Sequence, residues 1–503
     1  MSALARYLAQ ASRTGVDAGM VGYVAALEKV AQVAPGVAAA IVLELEHQRS
    51  KLKLIASENY CSISTQLAMG NLLTDKYAEG YPHSRFYEGC ENIDTIEAYA
   101  CEQACRLFGA AHAYVQPHSG ADANMVAFWG ILQARVQVPE LERLGVKDPG
   151  RLADEQWAVL RHALGNQRLL GLSLAAGGHL THGYRHNVSG KMFESHAYGV
   201  SPSTLLLDYD AIEKQALEIK PLILLAGYSA YPRAINFARM RDIADKVGAV
   251  LMVDMAHFAG LVAGKVFTGD FDPIPHAHVV TTTTHKTLRG PRGGMVLSTP
   301  EFGEYMDKGC PLVLGGPLGH CIAAKAVAFT EANRPGFVHY AHAVVANARA
   351  LAQACMSEGM QVVSGGTDNH LLLIDVTPLG LTGRQGAAVL TECNMTLNKN
   401  AIPFDPQSPL ITSGMRLGTP AVTTLGMGEE EMKEIASIIG YVLKGTRPGV
   451  VSSGANAGRP SKIAFAIDNE VRDRARARVG ELLERYPVYP ELDLGFLRGQ
   501  FGG

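Results

Sequence analysis

The chain has 503 residues, 47% of them hydrophobic and 18% charged. That length exceeds one ordinary domain and the composition suits a large buried core, so two domains are expected. With 45 basic and 48 acidic residues the formal net charge is -3, which gives no case for attraction to nucleic acid or a membrane surface.

In chain order, residues 1–50 read as a helical arm. Met1 to Met20 carries Arg6 and Arg13 but one acid, Asp17, a faint transit-peptide look. It lacks a secretory apolar core, so a helical arm packing on a partner subunit is the simpler expectation. Residues 51–330 alternate helices and strands, the pattern of a mainly parallel sheet covered on both faces. Asn92 to Phe108 reads as a helix, with Ile93, Ile96, Ala100, Ala104 and Leu107 on one face and Gly109 as its stop. Phe237 to Val247 reads likewise, with Phe237, Met240, Ala244 and Val247 aligned and Gly248 as its stop. Strands are expected at Ala113–Gln116, Leu169–Leu174, Leu222–Ala226, Val250–Val253, Val279–Thr283 and Met295–Ser298. Residues 331–503 open on a long helical stretch. Strands around Gln361-Val362-Val363 and Leu371–Val376 then suggest a smaller α+β domain. No apolar run is long enough to span a bilayer. The cysteines at 61, 90, 101, 105, 310, 321, 355 and 393 form no CxxC pair. That suits reduced, buried thiols in a cytoplasmic protein better than disulfides or zinc ligands.

Two segments carry chemistry. Val279-Val280 brings a buried strand toward Thr281-Thr282-Thr283-Thr284-His285-Lys286, and Gly290-Pro291 end the run. An ammonium there is desolvated, which favours its neutral amine and suits a Schiff-base nucleophile. Upstream, Val250-Leu251-Met252-Val253 delivers Asp254 to a strand's carboxyl end. Pyridoxal phosphate (PLP) enzymes need this pair, a lysine for the aldehyde and a carboxylate to keep the pyridine nitrogen protonated. Either residue alone suits a structural ion pair. In an open α/β sheet, ligands bind outside the strands' carboxyl ends, where both fall.

From about Leu54 to Gly445 the sequence resembles the serine hydroxymethyltransferase family. The resemblance is carried, in order, by Leu54-Ile55-Ala56-Ser57-Glu58-Asn59-Tyr60, Lys76-Tyr77-Ala78-Glu79-Gly80-Tyr81-Pro82, Gln116-Pro117-His118-Ser119-Gly120, Gly177-Gly178-His179-Leu180-Thr181-His182-Gly183, the Asp254 and Lys286 blocks, and Thr412-Ser413-Gly414-Met415-Arg416-Leu417-Gly418-Thr419-Pro420. A lone motif would be weak, and this many in order are specific. The resemblance implies a PLP enzyme of the aspartate-aminotransferase-like fold (PLP fold type I). It would have a seven-stranded, mainly parallel sheet in a large PLP-binding domain, 51–330, and a smaller C-terminal α+β domain, 331–503. The implied reaction moves the hydroxymethyl carbon of L-serine to tetrahydrofolate, giving glycine and 5,10-methylenetetrahydrofolate, through a PLP Schiff base on Lys286. A homodimer, possibly a dimer of dimers, is implied; no metal is.

By resemblance, Ser119, Gly120 and His285 lie at the phosphate, and His179 stacks on the cofactor ring. Asp254 meets the ring nitrogen, and Ser229 and His257 meet the ring hydroxyl. Ser57 and Arg416 take the substrate carboxylate. Glu79 and Tyr87 are the acid/base and orienting groups at the hydroxymethyl carbon. Tyr77 and Gly316 match residues that reach a neighbouring subunit's phosphate. Leu174, Gly178, His179, Leu180, Asn400 and Ser408 match the folate segments.

The sequence departs from the family pattern at Ala121, where a hydroxyl is usual, at Ala176, where histidine is frequent, and at Leu410, where an aromatic is frequent. Two stretches also stand outside that pattern. One is an insertion of roughly thirty residues around 135–166, long for a bare loop. Trp157, Val159, Leu160 and Leu164 there suit an amphipathic helix. The other is Gly449 to Pro460, read as a flexible loop before a charged helix over Asp468–Tyr486. The rival readings are a folate-independent threonine or β-hydroxy amino acid aldolase, and a catalytically silent PLP-binding relative.

Overall fold

The computed structural model describes residues 1–11, 15–454 and 457–502. Arg13, one of the two arginines behind the transit-peptide look, lies outside the described residues.

The alternating region folds into a seven-stranded sheet. Its strands are β1 His112–Tyr114, β2 Arg168–Leu172, β3 Glu194–Tyr198, β4 Ile223–Gly227, β5 Val250–Asp254, β6 Val279–Thr283 and β7 Gly294–Ser298. Their order across the sheet is β1-β7-β6-β5-β4-β2-β3. β6, β5, β4, β2 and β3 pair in parallel, and β7 runs antiparallel to both its neighbours. Strands β4 to β7 are buried at every residue. Burial on both faces writes such strands as unbroken apolar or β-branched runs, which is why the sequence exposes them. β3, Glu-Ser-His-Ala-Tyr, lies at the sheet edge, has one buried residue and was not expected from sequence.

The two helices expected from periodicity are present as Glu91–Phe108 and Phe237–Val247. Each ends on a left-handed glycine, Gly109 at φ 76° and Gly248 at φ 70°, where a side chain would be strained. Asn236 opens the second by accepting from Arg239 N at 2.8 Å.

A second, four-stranded antiparallel sheet follows, with β8 Gln361–Val362, β9 Leu371–Asp375, β10 Asn398–Asn400 and β11 Gly414–Gly418 in the order β8-β9-β11-β10. Helix Pro335–Ser357 joins the two sheets. Its first half, with Phe337, Tyr340, Ala341, Val344 and Val345, belongs to the core around the large sheet. Its second half, with Leu351, Ala352 and Cys355, belongs to the core under the small one. Leu52-Lys53 pairs in parallel with Met395-Thr396, so the chain touches the second core before it enters the large sheet.

The N-terminal arm packs on the chain's own C-terminus. Its helices Ala3–Ala11, Ala18–Val33 and Pro35–Ser50 bury Tyr7, Met20, Val24, Leu27, Val42 and Leu45 against Val488, Leu492, Leu497 and Phe501 of the same chain. Val33, Val37, Ile41 and Leu43 on these helices stay exposed. The stretch around 135–166 does contain a helix, Asp154–Gly165, yet only Leu160 is buried there. Trp157 and Val159 face outward, 42% and 48% exposed, so the expected apolar face is narrower than the sequence suggested. The Gly449–Pro460 segment is not a simple loop. Its ends are arms of a hairpin, β12 Thr446–Val450 and β13 Pro460–Ile467. The charged helix after it spans Asn469–Arg485. No helix among the described residues is long and apolar enough to cross a membrane.

Gly227 shows how tightly the sheet fixes Asp254. The two are register partners on β4 and β5. Gly227 has φ 124°, and a β-carbon there would sit 2.1 Å from the Asp254 carbonyl oxygen. Gly227→Ala should therefore cost about 2–5 kcal/mol from overpacking and left-handed strain together. A clearly lowered Tm, with loss of cofactor uptake, is the expected outcome; an unchanged Tm would contradict it.

Candidate active site

β5 ends at Asp254 on the carboxyl edge of the parallel strands. Its carboxylate is buried and fully engaged. Oδ2 accepts from Asn124 Nδ2 at 2.9 Å and lies 3.2 Å from His182 Nε2; Oδ1 accepts from Ala256 N at 3.0 Å. Burial pushes this carboxyl up. The hydrogen bonds and electrostatic influence of His182, with the Asn124 hydrogen bond, outweigh it and hold the group well below the usual carboxylate range. Asn124 also donates to Thr181 Oγ1 at 2.7 Å, and its own oxygen accepts from Thr281 Oγ1 at 2.5 Å. Thr181 in turn lies 2.7 Å from His179 Nδ1. One network thus joins β5, β6, the Gly177–Gly183 turn and helix Gly120–Leu132. Asn124 and His182 were not singled out from sequence. Asn124 lies one helical turn after Gly120, and His182 sits inside the quoted glycine-histidine block.

Lys286 follows β6 by three residues and is largely buried. Burial lowers its ammonium to about 8, with Asp254 opposing the shift and Arg416 and Arg292 reinforcing it. Among the described residues its Nζ makes no hydrogen bond and no ion pair. Its carbonyl accepts from Asn59 Nδ2 at 2.9 Å. Asn59 Nδ2 also donates to Tyr340 Oη at 2.7 Å, and Asn59 Oδ1 accepts from Thr424 Oγ1 at 2.7 Å. That asparagine, also unassigned from sequence, ties the Ser57 segment to the lysine.

The nearby histidines are neutral. Burial takes His179 down to about 4, His285 to about 3 and His370 to about 3, and holds His257 well below its ordinary value. His257 Nδ1 lies 3.1 Å from His370 Nε2, with the rings stacked at 28°.

Ser119 caps helix Gly120–Leu132. Its hydroxyl accepts from Asp122 N at 3.2 Å and donates to Asp122 Oδ2 at 3.0 Å. A β-carbon on Gly120 would lie 2.7 Å from Thr283; the turn is pressed onto the end of β6. His285 Nδ1 stands 3.5 Å from Gly293 N on the same side.

Arg416 lies on β11 and is mostly buried. Nη1 donates to Ser229 O at 2.6 Å and Nε to Asn398 Oδ1 at 3.2 Å. Burial lowers its guanidinium to about 10, and it has no carboxylate partner among the described residues. Gly418 N donates to Leu54 O at 2.8 Å, and a β-carbon on Gly418 would meet Ala56 Cα at 2.4 Å. That close approach lays the Ser57 segment beside β11.

Glu79, Tyr77, Tyr87 and Gly316 form a separate, exposed group. Glu79 accepts from both tyrosine hydroxyls at 3.3 Å, and the tyrosine rings meet edge to face at 5.1 Å. A β-carbon on Gly316 would touch the Tyr77 ring at 3.4 Å. No hydrogen bond, ion pair or ring contact joins these side chains to Lys286, Asp254 or Arg416 among the described residues. Leu72, Phe86 and Leu312 are likewise exposed.

The expected folate residues fall on two segments. Leu174 and Leu180 are exposed around the Gly177–Gly183 turn. A β-carbon on Gly178 would clash with Leu172 O at 2.0 Å. Asn400 ends β10, and Ser408 O accepts from Ile411 N and Thr412 N, both at 2.9 Å. Between them Asp405 organises the loop: it accepts from Ile402 N, Gln407 N, Ser413 N and Ser413 Oγ at 2.6 to 3.2 Å.

This donor set fits PLP: a desolvated lysine with a free Nζ, a buried carboxylate held ionised, and a hydroxyl-capped helix start pressed onto the sheet. The comparisons agree. The family model for serine hydroxymethyltransferase matches residues 30–154 and 157–439. A protein of Treponema pallidum named serine hydroxymethyltransferase is 60% identical over 500 residues, covering 99% of this chain and 86% of its own. One of Salinispora tropica with the same name is 57% identical over 479 residues, covering 95% and 99%. One of Mycolicibacterium smegmatis is 56% identical over 478 residues, covering 95% and 96%. The Treponema alignment spans 500 of the 503 residues. The family-model match breaks at 155–156, inside the stretch around 135–166, and ends at 439, before the stretch after 449. Collinear motifs, a seven-stranded sheet with Asp254 and Lys286 at its carboxyl edge, and near end-to-end identity converge, and the chain belongs to the serine hydroxymethyltransferase family.

Proposed function

We propose that this chain is a PLP-dependent glycine hydroxymethyltransferase that reversibly moves the hydroxymethyl carbon of L-serine to tetrahydrofolate, giving glycine and 5,10-methylenetetrahydrofolate. The observation that carries it is the pairing of Lys286, with a desolvated and unpartnered Nζ, and Asp254, held ionised by Asn124 and His182. We assign a large PLP-binding domain to residues 51–330, a smaller C-terminal α+β domain to 331–503 and a helical arm to 1–50. Free cysteines throughout suit a reducing compartment, and we place the protein in the cytoplasm.

Bound PLP supplies an electron sink for the charge left at the substrate's α-carbon. The chain's own residues do the rest. Lys286 holds the cofactor through Nζ, and its lowered ammonium value leaves a useful neutral fraction near pH 8. Asp254 stays ionised and keeps a proton on the ring nitrogen. Neutral His179 presents an uncharged face to the ring, and His257 and Ser229 flank the ring hydroxyl. Ser119, Gly120 and His285 take the phosphate. Arg416 and Ser57 take the serine carboxylate; a buried guanidinium without an acidic partner suits a bound carboxylate. Glu79, oriented by Tyr77 and Tyr87, handles the proton on the serine hydroxyl. Leu174, Gly178, Leu180, Asn400 and Ser408 line the folate side. Folate separates this reading from an aldolase, and the loop that Asp405 organises supports the folate reading.

Borohydride should fix PLP to Lys286, mapped by peptide mass, and Lys286→Ala should carry no adduct and lose turnover. Lys325, whose ammonium burial also lowers to about 8, is the rival; an adduct there would overturn the assignment.

Arg416→Ala should raise KM for serine strongly, by about 2–3 kcal/mol of lost charge-assisted bonding, with cofactor content near normal. Arg416→Lys should recover only part, since the planar fork is gone. A wild-type serine response in Arg416→Ala would remove it from this role.

The separation of the Glu79–Tyr77 group from Lys286 within one protomer supports a site shared across a two-fold dimer. Lys286→Ala and Tyr77→Ala, each nearly dead alone, should regain roughly a quarter of wild-type activity when mixed and allowed to exchange subunits. Confirmed heterodimers without recovery would show self-contained sites.

A further inference from the structure

Lys325 is 1% exposed, in the middle of helix Gly319–Ala332. Its ammonium has three protons and three acceptors: Val115 O at 2.6 Å, Pro117 O at 2.9 Å and Gly294 O at 2.9 Å. None is a carboxylate. The nearby acid Glu97 is already held by Arg85 Nη2 and Gln116 Nε2, each at 2.7 Å. A full positive charge is thus buried with its hydrogen bonds taken by carbonyls and no carboxylate in contact, an arrangement that costs stability.

Its three acceptors show what stands in front of it. Pro117 is two residues before Ser119, and its carbonyl also accepts from Gly294 N at 2.9 Å. A β-carbon on Gly294 would lie 2.2 Å from Ser119 O and 3.2 Å from Gly120 N. A β-carbon on Gly293 would lie 2.5 Å from Lys325 Cε. The ammonium therefore holds the carbonyl of Pro117, one residue behind the Ser119-Gly120 turn, and Gly293 and Gly294 pack closely on Lys325 and on that turn.

We propose that Lys325 is a positioning residue for the cofactor phosphate: it pins the carbonyls behind the Ser119-Gly120 turn and supplies the buried positive charge that a phosphate dianion in that turn answers. This rests on the reading of that turn as the phosphate site. The cofactor's phosphate makes the charge worth burying, and the charge in turn offsets Asp122, whose carboxylate shares the Ser119 hydroxyl. The groups facing Lys325 are Glu97 and Cys101 from helix Glu91–Phe108, Asp122 from helix Gly120–Leu132, Cys321 one turn back on its own helix, and His285. Burial raises both thiols and keeps His285 neutral, and it brings Lys325 itself down to about 8.

The test compares PLP with pyridoxal, which lacks the phosphate, by direct binding to the apoprotein. Wild type should prefer PLP. In Lys325→Gln and Lys325→Met that preference should fall roughly tenfold or more, as expected for losing a unit charge near a dianion, while pyridoxal binding shifts by less than about threefold. Equal losses for both ligands, or no loss, would overturn the proposal. A second arm needs no variant. Lys325 is charged below its own titration, so its contribution is complete at lower pH and is lost as pH rises through it. The wild-type preference should fall from about pH 7 to about pH 10, where the phosphate stays dianionic. Lys286 acts on both aldehydes alike, so its titration cancels in the ratio. A flat wild-type ratio would overturn the proposal even if the variants fail to fold. A wild type that does not distinguish PLP from pyridoxal would instead sink the phosphate reading itself.

Discussion

A charge taken out of water must be answered by another charge or by enough hydrogen bonds, and either answer constrains everything around it. Lys286, Arg416 and Lys325 are all buried cations without a carboxylate partner in contact. Arg85, whose side chain is also buried, instead meets Asp94 at 2.8 Å and Glu97 at 2.7 Å. The three cations gather at the carboxyl edge of one sheet. On the assignments proposed above, the answering charges there would belong to molecules that come and go, a phosphate and a substrate carboxylate, with the fold carrying the cost while they are away.

Asp254 is the acid whose field acts on Lys286, and the sheet keeps it from collapsing onto that lysine. It ends a strand, its carboxylate is taken by Asn124, His182 and the Ala256 amide, and Gly227 closes off the space beside its carbonyl. Lys286, on the neighbouring strand-end loop, feels Asp254 as a field without forming an ion pair. That separation suits the proposed roles, in which each group would serve a different atom of one cofactor. Desolvation also keeps four histidines around the site neutral, so they shape it without adding to an already positive interior. Arg416 arrives from the other sheet by donating to Ser229 O beyond β4. The shared helix Pro335–Ser357 belongs to both cores and holds that meeting in place.

What the sequence made legible follows from the same physics. Strands β4 to β7 are buried on both faces, so they appear as unbroken runs, and the residues just beyond them are marked by the chemistry they carry. β3 was missed because an edge strand need not be apolar. Asn124, His182 and Asn59 were missed as site residues because a polar side chain that holds another in place has no pattern of its own; its meaning appears only when the fold brings a distant group into hydrogen-bond range, the Asp254 carboxylate for Asn124 and His182 and the Lys286 carbonyl for Asn59. Lys325 was missed for the opposite reason. In Ala323-Ala324-Lys325-Ala326-Val327 it looks like a lysine interrupting an apolar helix face, and three backbone carbonyls from two other segments are needed to explain it.

The Gly449–Pro460 segment shows why composition misleads in the other direction. Glycine, serine and alanine suggested a free loop, but glycine also allows strands to lie close: a β-carbon on Gly449 would meet Ala464 at 2.9 Å. The hairpin it belongs to is anchored by the buried Gln385, which donates to Ser461 O at 2.8 Å and Ala464 O at 2.7 Å, and by Thr382, which donates to Lys462 O at 2.9 Å. Lys462 then reaches Gln407 at 3.0 Å, on the loop that Asp405 organises. The C-terminal hairpin therefore bears on the Asn400–Ser408 segment from outside, while Asp405 holds it from within. A loop with exposed Phe404 and Leu410, 60% and 71% accessible, has few apolar contacts of its own to fix its shape. Its order has to come from polar anchors, and two of those it receives from the hairpin and from a single carboxylate.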